Sequence, residues 1–232
     1  MDFPALEIEN LRFRYDGGAS PWIVDISHLE LKRGEQMLLT GTSGRGKSTL
    51  LHLVAGLMEP SSGRIHVAGQ DVHALVGAKR DLFRGRHLGM IFQNFNLLHG
   101  FSALENVMAA MMFSEIPRNE HRDRGLDLLR YLGIDQPNRL PEQLSIGQQQ
   151  RVAVARAMAC DPVLVLADEP TASLDPDNAG IAIDMIENIC RDKNAALLCV
   201  SHDPSLKERF NRLASLEGLS QQSDSNAPAM AP

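Results

Sequence analysis

The sequence predicts an α/β fold in which helices cover a mainly parallel sheet. Short apolar segments alternate with helical patterns along much of the chain, as in a parallel sheet with crossover helices. The first 31 residues are instead rich in strand patterns, and three helical patterns follow one another between about residues 95 and 160. We therefore expect a parallel core, an N-terminal antiparallel β subdomain and a helical insertion subdomain.

The predicted strands are apolar or alternating segments bounded by turn-forming residues. Residues 6–15 and 23–31 are separated by Asp16, Gly17 and Gly18, which favour a turn. The other predicted strands cover residues 37–40, 64–68, 88–92, 163–167 and 195–200, and residues 213–216 are strand-like. The uninterrupted apolar character of 163–167 is typical of a strand covered on both faces.

Helical periodicity marks the remaining segments. The predicted helices cover residues 47–56, 103–113, 120–132, 146–159 and 176–190, and a final short helix follows the last long strand. The methionines at 108, 111 and 112 fit core packing of the second of these helices, although an exposed methionine there could line a docking groove. Residues 219–232 lack apolar periodicity and predict a disordered tail after a single domain that covers residues 1–218.

Composition and charge limit the classes of partner. The chain has 232 residues and a formal net charge of -6, which disfavours nonspecific binding to nucleic acid. We find neither a run of about 18 apolar residues nor a secretory signal pattern, so we expect a protein that is neither exported nor membrane-spanning. Cys160, Cys190 and Cys199 lack metal-binding spacing and fit buried free thiols in a reducing cytoplasm.

A glycine-rich loop lies between the predicted strand 37–40 and the predicted helix 47–56. Glycines let the backbone curl so that N–H groups face phosphate oxygens, while a lysine adds positive charge and a hydroxyl can bind Mg²⁺. A strand before the loop and a helix after it make a chance glycine-rich turn the less favoured interpretation. The residues that match G-x-x-x-x-G-K-S/T, with the adjoining threonine as a further nucleotide-binding candidate, are Gly41, Thr42, Ser43, Gly44, Arg45, Gly46, Lys47, Ser48 and Thr49.

Two carboxylates follow the apolar strand 163–167. Asp168 and Glu169 lie at the end of the sheet where ligands bind in open α/β folds. Asp168 is a candidate Mg²⁺ ligand, and Glu169 is a candidate general base for an attacking water. Adjacent side chains on a strand point to opposite faces, so both can serve one site only if the backbone turns there. Pro170 favours such a turn, whereas a solvated acidic strand end is the alternative.

With these motifs in order, the sequence resembles the nucleotide-binding subunits of ABC transporters up to about Gly218. The strongest support for this resemblance is LSIGQQQR at residues 144–151, which is similar to the ABC signature. We call residues 144–151 the signature segment. Alone, it would equally fit a helix capped by Ser145. The resemblance implies a P-loop NTPase fold with a RecA-like parallel core. In that family two subunits pair head to tail, and Ser145, Gly147 and Gln148 would contact the γ-phosphate held by the partner.

Four further positions match the family pattern by their order. Gln93 resembles the Q-loop residue, which senses Mg²⁺ or water, takes part in catalysis and couples to the membrane partner. Asp175 belongs to a D-loop-like segment with Ser173 and Leu174, and it also fits an ordinary helix N-cap. His202 resembles the switch histidine that contacts the γ-phosphate during catalysis, together with Lys47. Tyr15 resembles the aromatic residue that stacks on adenine, although a strand-end aromatic is an alternative.

Two residues depart from the family pattern. Ile146 occupies a position that is usually glycine, and a β-branched residue would be strained there if φ were positive. Isoleucine is tolerated if the position is already helical, so we expect activity to be retained. Arg45 stands where small residues are commoner, and we expect it to face solvent or a partner.

The resemblance implies an ATPase that uses ATP and Mg²⁺, forms a homodimer across its ATP sites and powers an integral membrane permease. We expect it in the cytoplasm, held at the inner face of the membrane by that permease. GMIFQNFNLL at residues 89–98 and LENV at 104–107 resemble the lipoprotein-releasing and macrolide-export group. Similar words occur in importers and cell-division ABC proteins, so an importer ATPase remains an alternative.

Other classes explain fewer of the motifs. Soluble ABC ATPases of DNA repair or translation usually carry a coiled-coil or zinc insertion or two ATPase domains, and the sequence shows none of these. A small-molecule kinase with a P-loop would not explain the signature segment, the D-loop or His202. A binding module without hydrolysis is disfavoured because Glu169 and His202 are both present.

Overall fold

The computed structural model describes residues 3–15, 21–41 and 46–221. The strands within these residues are β1 (Leu6–Phe13), β2 (Val24–Leu31), β3 (Gln36–Thr40), β4 (Ser62–Val67), β5 (Gln70–Asp71), β6 (Leu88–Ile91), β7 (Leu164–Asp168), β8 (Ala196–Val200) and β9 (Arg212–Ser215). An antiparallel sheet has the order β2-β1-β4-β5. A parallel sheet has the order β6-β7-β8-β3-β9. The predicted α/β fold is confirmed.

Helices connect and cover these sheets. They are α1 (Lys47–Val54), α2 (Ala78–His87), α3 (Ala103–Met111), α4 (His121–Tyr131), α5 (Ile146–Met158), α6 (Pro176–Asp192) and α7 (Leu216–Gln221), with short 3-10 turns at Arg118–Glu120, Pro141–Gln143 and Pro204–Glu208. None of the helices in the described ranges is both long enough and apolar enough to cross a membrane.

The parallel sheet separates two apolar cores because side chains alternate along each strand. Leu38, Val165 and Ala167 face the core that contains the insertion helices and α6. Leu164 and Leu166 face the opposite core, which contains α1 and the inner face of the antiparallel sheet. Burial on both faces accounts for the uninterrupted apolar pattern of the central strands.

The helical insertion consists of α3, α4 and α5. Ser102 begins α3 with a capping box, since its side chain accepts from the Glu105 backbone while Glu105 accepts from the Ser102 backbone. Asn106 is fully buried, and its amide group bonds to the backbone at Leu98 and Phe101. These bonds fix the loop that joins β6 to the insertion.

Two segments differ from the sequence prediction. Helix α2 was not predicted, because none of its side chains is buried and it therefore lacks an apolar stripe. Helix α7 extends to Gln221, so the first three residues of the predicted tail are helical. Leu219 is buried in the core beside the antiparallel sheet, which stabilises this last turn. Residues 222–232 lie outside the described part of the chain.

The methionines of α3 divide between core and surface. Met111 is fully buried and Met108 packs against the insertion core, so the predicted core packing is confirmed for both. Met112, which directly follows α3, is exposed.

Gly89→Ala should lower the free energy of unfolding by about 1–3 kcal/mol, the usual cost of overpacking. A Cβ atom on Gly89 would lie 2.4 Å from the carbonyl oxygen of Ala157, so β6 and α5 would have to separate. Urea unfolding followed by circular dichroism measures the change. Gly180→Ala in α6 is the control: its Cβ would meet only the end of the flexible Arg209 side chain, at 3.2 Å. Equal stability of the Gly89 variant and the parent would contradict the prediction.

Candidate functional site

The phosphate loop joins β3 to α1, as the sequence predicts. Gly46 caps α1 with a φ of 93°, and a Cβ there would lie 2.6 Å from the carbonyl oxygen of Ile23. Glycine is therefore required both by the backbone conformation and by the close packing. Lys47 is 5% exposed, and its Nζ donates to the carbonyl oxygen of Gly41 at 2.8 Å. The predicted nucleotide contacts of Thr42, Ser43, Gly44 and Arg45 lie outside the described residues.

Ser48 and Asp168 meet at the carboxyl end of the parallel sheet. The hydroxyl of Ser48 donates to Oδ1 of Asp168 at 2.9 Å, although the two residues are 120 positions apart in sequence. Burial raises the pKa of the Asp168 carboxyl, and the neighbouring Glu169 acts in the same direction, against the hydrogen bond from Ser48. Two of the three predicted Mg²⁺ ligands, Ser48 and Asp168, are thus in direct contact, whereas the role of Gln93 toward the metal stays a prediction.

The backbone turns sharply at Glu169, as its predicted role requires. Its φ is 45°, in the left-handed region that non-glycine residues rarely occupy. The Glu169 N–H donates to the carbonyl oxygen of Val200 at 2.9 Å. The carbonyl oxygen of Glu169 accepts from the Ala172 N–H at 3.1 Å. We call residues 169–172 the Glu169 turn. It ends the strand alternation, so Glu169 can face the same site as Asp168.

Four groups surround the Glu169 carboxylate, whose side chain is 13% exposed. The hydroxyl of Ser201 donates to it at 2.9 Å, and the backbone N–H of His202 donates at 3.3 Å. Nδ1 of His202 lies 2.8 Å from Oε1, so this nitrogen carries the proton that is donated to the carboxylate. Nζ of Lys47 lies 3.9 Å from the same oxygen. The predicted catalytic residues Lys47, Glu169 and His202 therefore form one cluster.

Ser201 is a site residue that the sequence analysis missed. Its side chain is 1% exposed and bonds directly to Glu169. The sequence did contain one signal for it: a polar residue stands between a fully apolar strand and the candidate histidine.

The Q-loop and D-loop candidates meet at the backbone of Gln93. Gln93 follows β6, which pairs with β7, so it lies at the same edge of the sheet as Asp168. The hydroxyl of Ser173 donates to the Gln93 carbonyl at 3.1 Å. Asp175 caps α6 by accepting from the backbone N–H of Asn178 at 3.1 Å, which confirms its predicted capping role. The roles of Gln93 and Asp175 toward nucleotide and metal stay predictions.

Tyr15 lies close to the start of α1. Its hydroxyl is 3.2 Å from the Thr49 hydroxyl, and its ring packs edge-on against Phe13 at a centroid distance of 5.1 Å. The side chain is 65% exposed, which leaves its aromatic surface free for stacking on a base.

The first residues of the signature segment, 144–148, lie at the start of α5 and take no part in the contacts described so far. Ser145 and Gln148 form a reciprocal capping box, and in the described part of the chain neither side chain bonds to the phosphate loop. Ile146 is the first residue of α5 and is 54% exposed. Its φ is not positive, so isoleucine fits this position. A Cβ on Gly147 would meet no atom within 4 Å, so this glycine leaves room for a ligand or partner.

The donor set fits Mg²⁺. A hydroxyl and a carboxylate oxygen are ligands that Mg²⁺ prefers, usually completed by waters and substrate phosphates. Among the described residues no group of three or more His, Cys, Asp or Glu side chains forms a metal site alone. Ser48 and Asp168 supply two such oxygens, which leaves the other positions around a Mg²⁺ ion for waters and substrate phosphates.

Asp168→Asn should stabilise the protein at pH 7.5 without Mg²⁺ or nucleotide, because the raised pKa of Asp168 means that its ionised form disfavours folding. The ionised carboxyl lowers the free energy of unfolding at every pH above its raised pKa in the folded protein. This loss disappears below the ordinary aspartate pKa of about 3.9. The difference between the urea midpoints of variant and parent should therefore shrink from pH 7.5 toward pH 4.5.

Glu59→Gln is the control of opposite sign for this titration. A hydrogen bond from Arg80 lowers the pKa of Glu59, so its ionised form favours folding. This variant should be destabilised at pH 7.5. The loss should persist down to about pH 4.5, the ordinary glutamate pKa, and shrink only below it, as the pH falls through the lowered folded pKa. A difference between Asp168→Asn and parent that does not change with pH would count against the buried charge as its cause.

Comparisons with known proteins agree with this geometry. Residues 24–172 match the family model described as ABC transporter. The lipoprotein-releasing system ATP-binding protein LolD of Psychrobacter arcticus is 41% identical over 89% of this chain and 93% of its own length. LolD of Pseudomonas syringae pv. tomato is 40% identical over 94% of this chain and 96% of its own length.

Solved structures show the same fold. The ATP-binding cassette MJ0796, in a dimeric post-hydrolysis state bound to ADP and Pi, has a TM-score of 0.80 and 30% identity, covering 93% of this chain and 95% of its own. A second dimeric structure of MJ0796, described as a bacterial ABC transporter cassette, has a TM-score of 0.79 and covers 90% of this chain and 93% of its own. The chain belongs to the ABC transporter family and is one of its ATP-hydrolysing subunits.

Proposed function

We propose that this chain is the ATPase of a lipoprotein-releasing transporter, in which it drives a separate membrane permease. The observation that carries the proposal is the cluster of Lys47, Ser48, Asp168, Glu169 and His202 at one edge of the sheet. The likeness to LolD proteins over nearly the whole chain supports the transport subclass.

Each residue of the cluster has a distinct part in phosphoryl transfer. Glu169 accepts the proton of the attacking water, while His202 and Ser201 hold its carboxylate in position. Lys47 and the amides of the phosphate loop stabilise negative charge on the β- and γ-phosphates. Ser48 and Asp168 would hold Mg²⁺, with Gln93 as a further ligand. When bound, Mg²⁺ neutralises charge on the phosphate oxygens.

Two copies of the chain complete the ATP sites. The signature segment forms no hydrogen bond with the phosphate loop in the described residues, which is expected if it serves the site of a second copy. Ser145 and Gly147 lie at a helix N-terminus, which favours an anion. The dimeric MJ0796 structures support this arrangement.

A groove beside Gln93 is the proposed docking site for the membrane permease. This Phe113 groove has a volume of about 470 Å³ and lies between the parallel core and the helical insertion. Its apolar lining includes Leu57, Met90, Phe92, Ala110, Phe113 and Cys160. Leu57 is 50% exposed and Phe113 57%, which suits burial against an apolar helix of a partner. Through this contact the chain would be held at the cytoplasmic face of the membrane.

Glu169→Gln should retain ATP binding and lose most ATP hydrolysis, because the amide keeps the shape of the side chain but cannot accept the water proton. Phosphate release measures hydrolysis, and binding of a fluorescent ATP analogue measures affinity. Glu208→Gln, at an exposed residue outside the catalytic cluster, is the control and should behave as the parent. Near-normal turnover of Glu169→Gln would remove Glu169 from its role.

Phe113→Ser should reduce the amount of polytopic membrane protein that co-purifies with the tagged chain from detergent-solubilised membranes. The ATPase activity of the isolated variant should persist, because Phe113 lies outside the catalytic cluster. Tyr131→Ser is the matched control, since Tyr131 is also 57% exposed but lies on α4, away from the groove. Equal recovery of the membrane protein with both variants would place the docking site elsewhere.

A further inference from the structure

Gln150 is a buried glutamine in the second turn of α5, and its 2% exposed side chain reaches the catalytic cluster from the helical insertion. The Nε2 amide donates to the carbonyl oxygen of Pro170 at 2.8 Å. Pro170 directly follows Glu169, so this bond joins the signature helix to the Glu169 turn. Gln150 belongs to the signature segment, and its sequence position alone assigns it no role.

The Glu169 turn needs such support. A non-glycine residue with left-handed backbone geometry persists only where its surroundings hold it. Two backbone hydrogen bonds, to Val200 and from Ala172, act within the turn and the neighbouring strand. Among the described residues, Gln150 supplies the side-chain bond to the backbone of this turn. Without this donor a buried carbonyl would lose its partner, so the turn would tend to shift.

Helix α5 holds a second loop of the site in the same way. Arg156 donates to the carbonyl oxygens of Phe95 and Asn96, shortly after Gln93. Phe95 and Asn96 also have positive φ angles, of 59° and 48°. Side chains of one helix thus bond to the left-handed segments that follow β6 and β7, while the start of that helix carries Ser145.

We propose that Gln150 is a positioning residue that couples the signature helix to the general base of the same chain. The inference rests on the proposed role of Glu169. In the dimer the start of α5 meets the ATP held by the partner, so a shift of α5 would pass through Gln150 to Glu169. The rate of hydrolysis therefore depends on Gln150, whereas the affinity for ATP does not.

Gln150→Met tests the inference, because methionine fills the same space without a donor. We expect kcat to fall by about 10- to 100-fold, the effect of small misplacements at a reacting centre, with ATP affinity unchanged. On the Glu169→Gln background the same substitution should cause no further loss of single-turnover phosphate release, since both changes act on one group. Gln150→Asn, whose shorter side chain keeps the amide but cannot reach Pro170, is the second variant if the first fails to fold.

Gln36→Met is the matched structural control. Gln36 also donates through Nε2 to a buried backbone carbonyl at 2.8 Å, that of Glu187, away from the catalytic cluster. The Gln36→Met variant should have a lower melting temperature than the parent and the same kcat. Three outcomes would each overturn the inference. Folded Gln150 variants could have a normal kcat, they could lose ATP affinity together with kcat, or the losses could be additive on the Glu169→Gln background. If Glu169→Gln itself turned over normally, the general-base proposal would fail, and the inference would fail with it.

Discussion

The left-handed backbone of Glu169 is the constraint on which the catalytic cluster depends. Strand β7 is buried on both faces, so its alternation sends successive side chains into opposite cores. A carboxylate directly after Asp168 would leave the site if that alternation continued. The positive φ at Glu169 ends it, at a cost of about 1–3 kcal/mol that neighbouring bonds must offset. Those bonds come from β8 and α5, which are far apart in sequence. The proposed general base is therefore placed by tertiary structure.

Stability and function oppose each other at the same edge of the sheet. Asp168 is partly buried beside Glu169, and this burial raises its pKa because the ionised form loses hydration. A core optimised for stability would not place two carboxylates here. The arrangement fits the proposed binding of a cation, for which the hydroxyl of Ser48, 2.9 Å from Asp168, supplies a further oxygen. Two carboxylates whose burial is unfavourable without a counter-charge are thus suited to a ligand that brings Mg²⁺.

Much of the fold and the cluster could be predicted because the information lies in local patterns. The phosphate loop and the carboxylates after β7 follow buried strands, and their order along the chain identified the family. Helix α2 could not be predicted, since none of its side chains is buried and no apolar period marks it. Ser201 and Gln150 were missed for another reason. Their partners, Glu169 and Pro170, are distant in sequence, and only the packed structure brings them into contact.

The division into two cores fits the proposal that one chain serves two ATP sites. Helix α1, which follows the phosphate loop, belongs to the core beside the antiparallel sheet, whereas α5 belongs to the core of the helical insertion. The parallel sheet lies between the two cores, so the signature segment of a chain can serve a partner while its phosphate loop holds its own nucleotide. Contacts that cross from the insertion to the Glu169 turn are then the means by which the two sites can influence each other. The bond from Gln150 to Pro170 is short, buried and directed at the backbone next to the proposed general base. It is therefore well placed to make hydrolysis at one site depend on how α5 meets the nucleotide at the other.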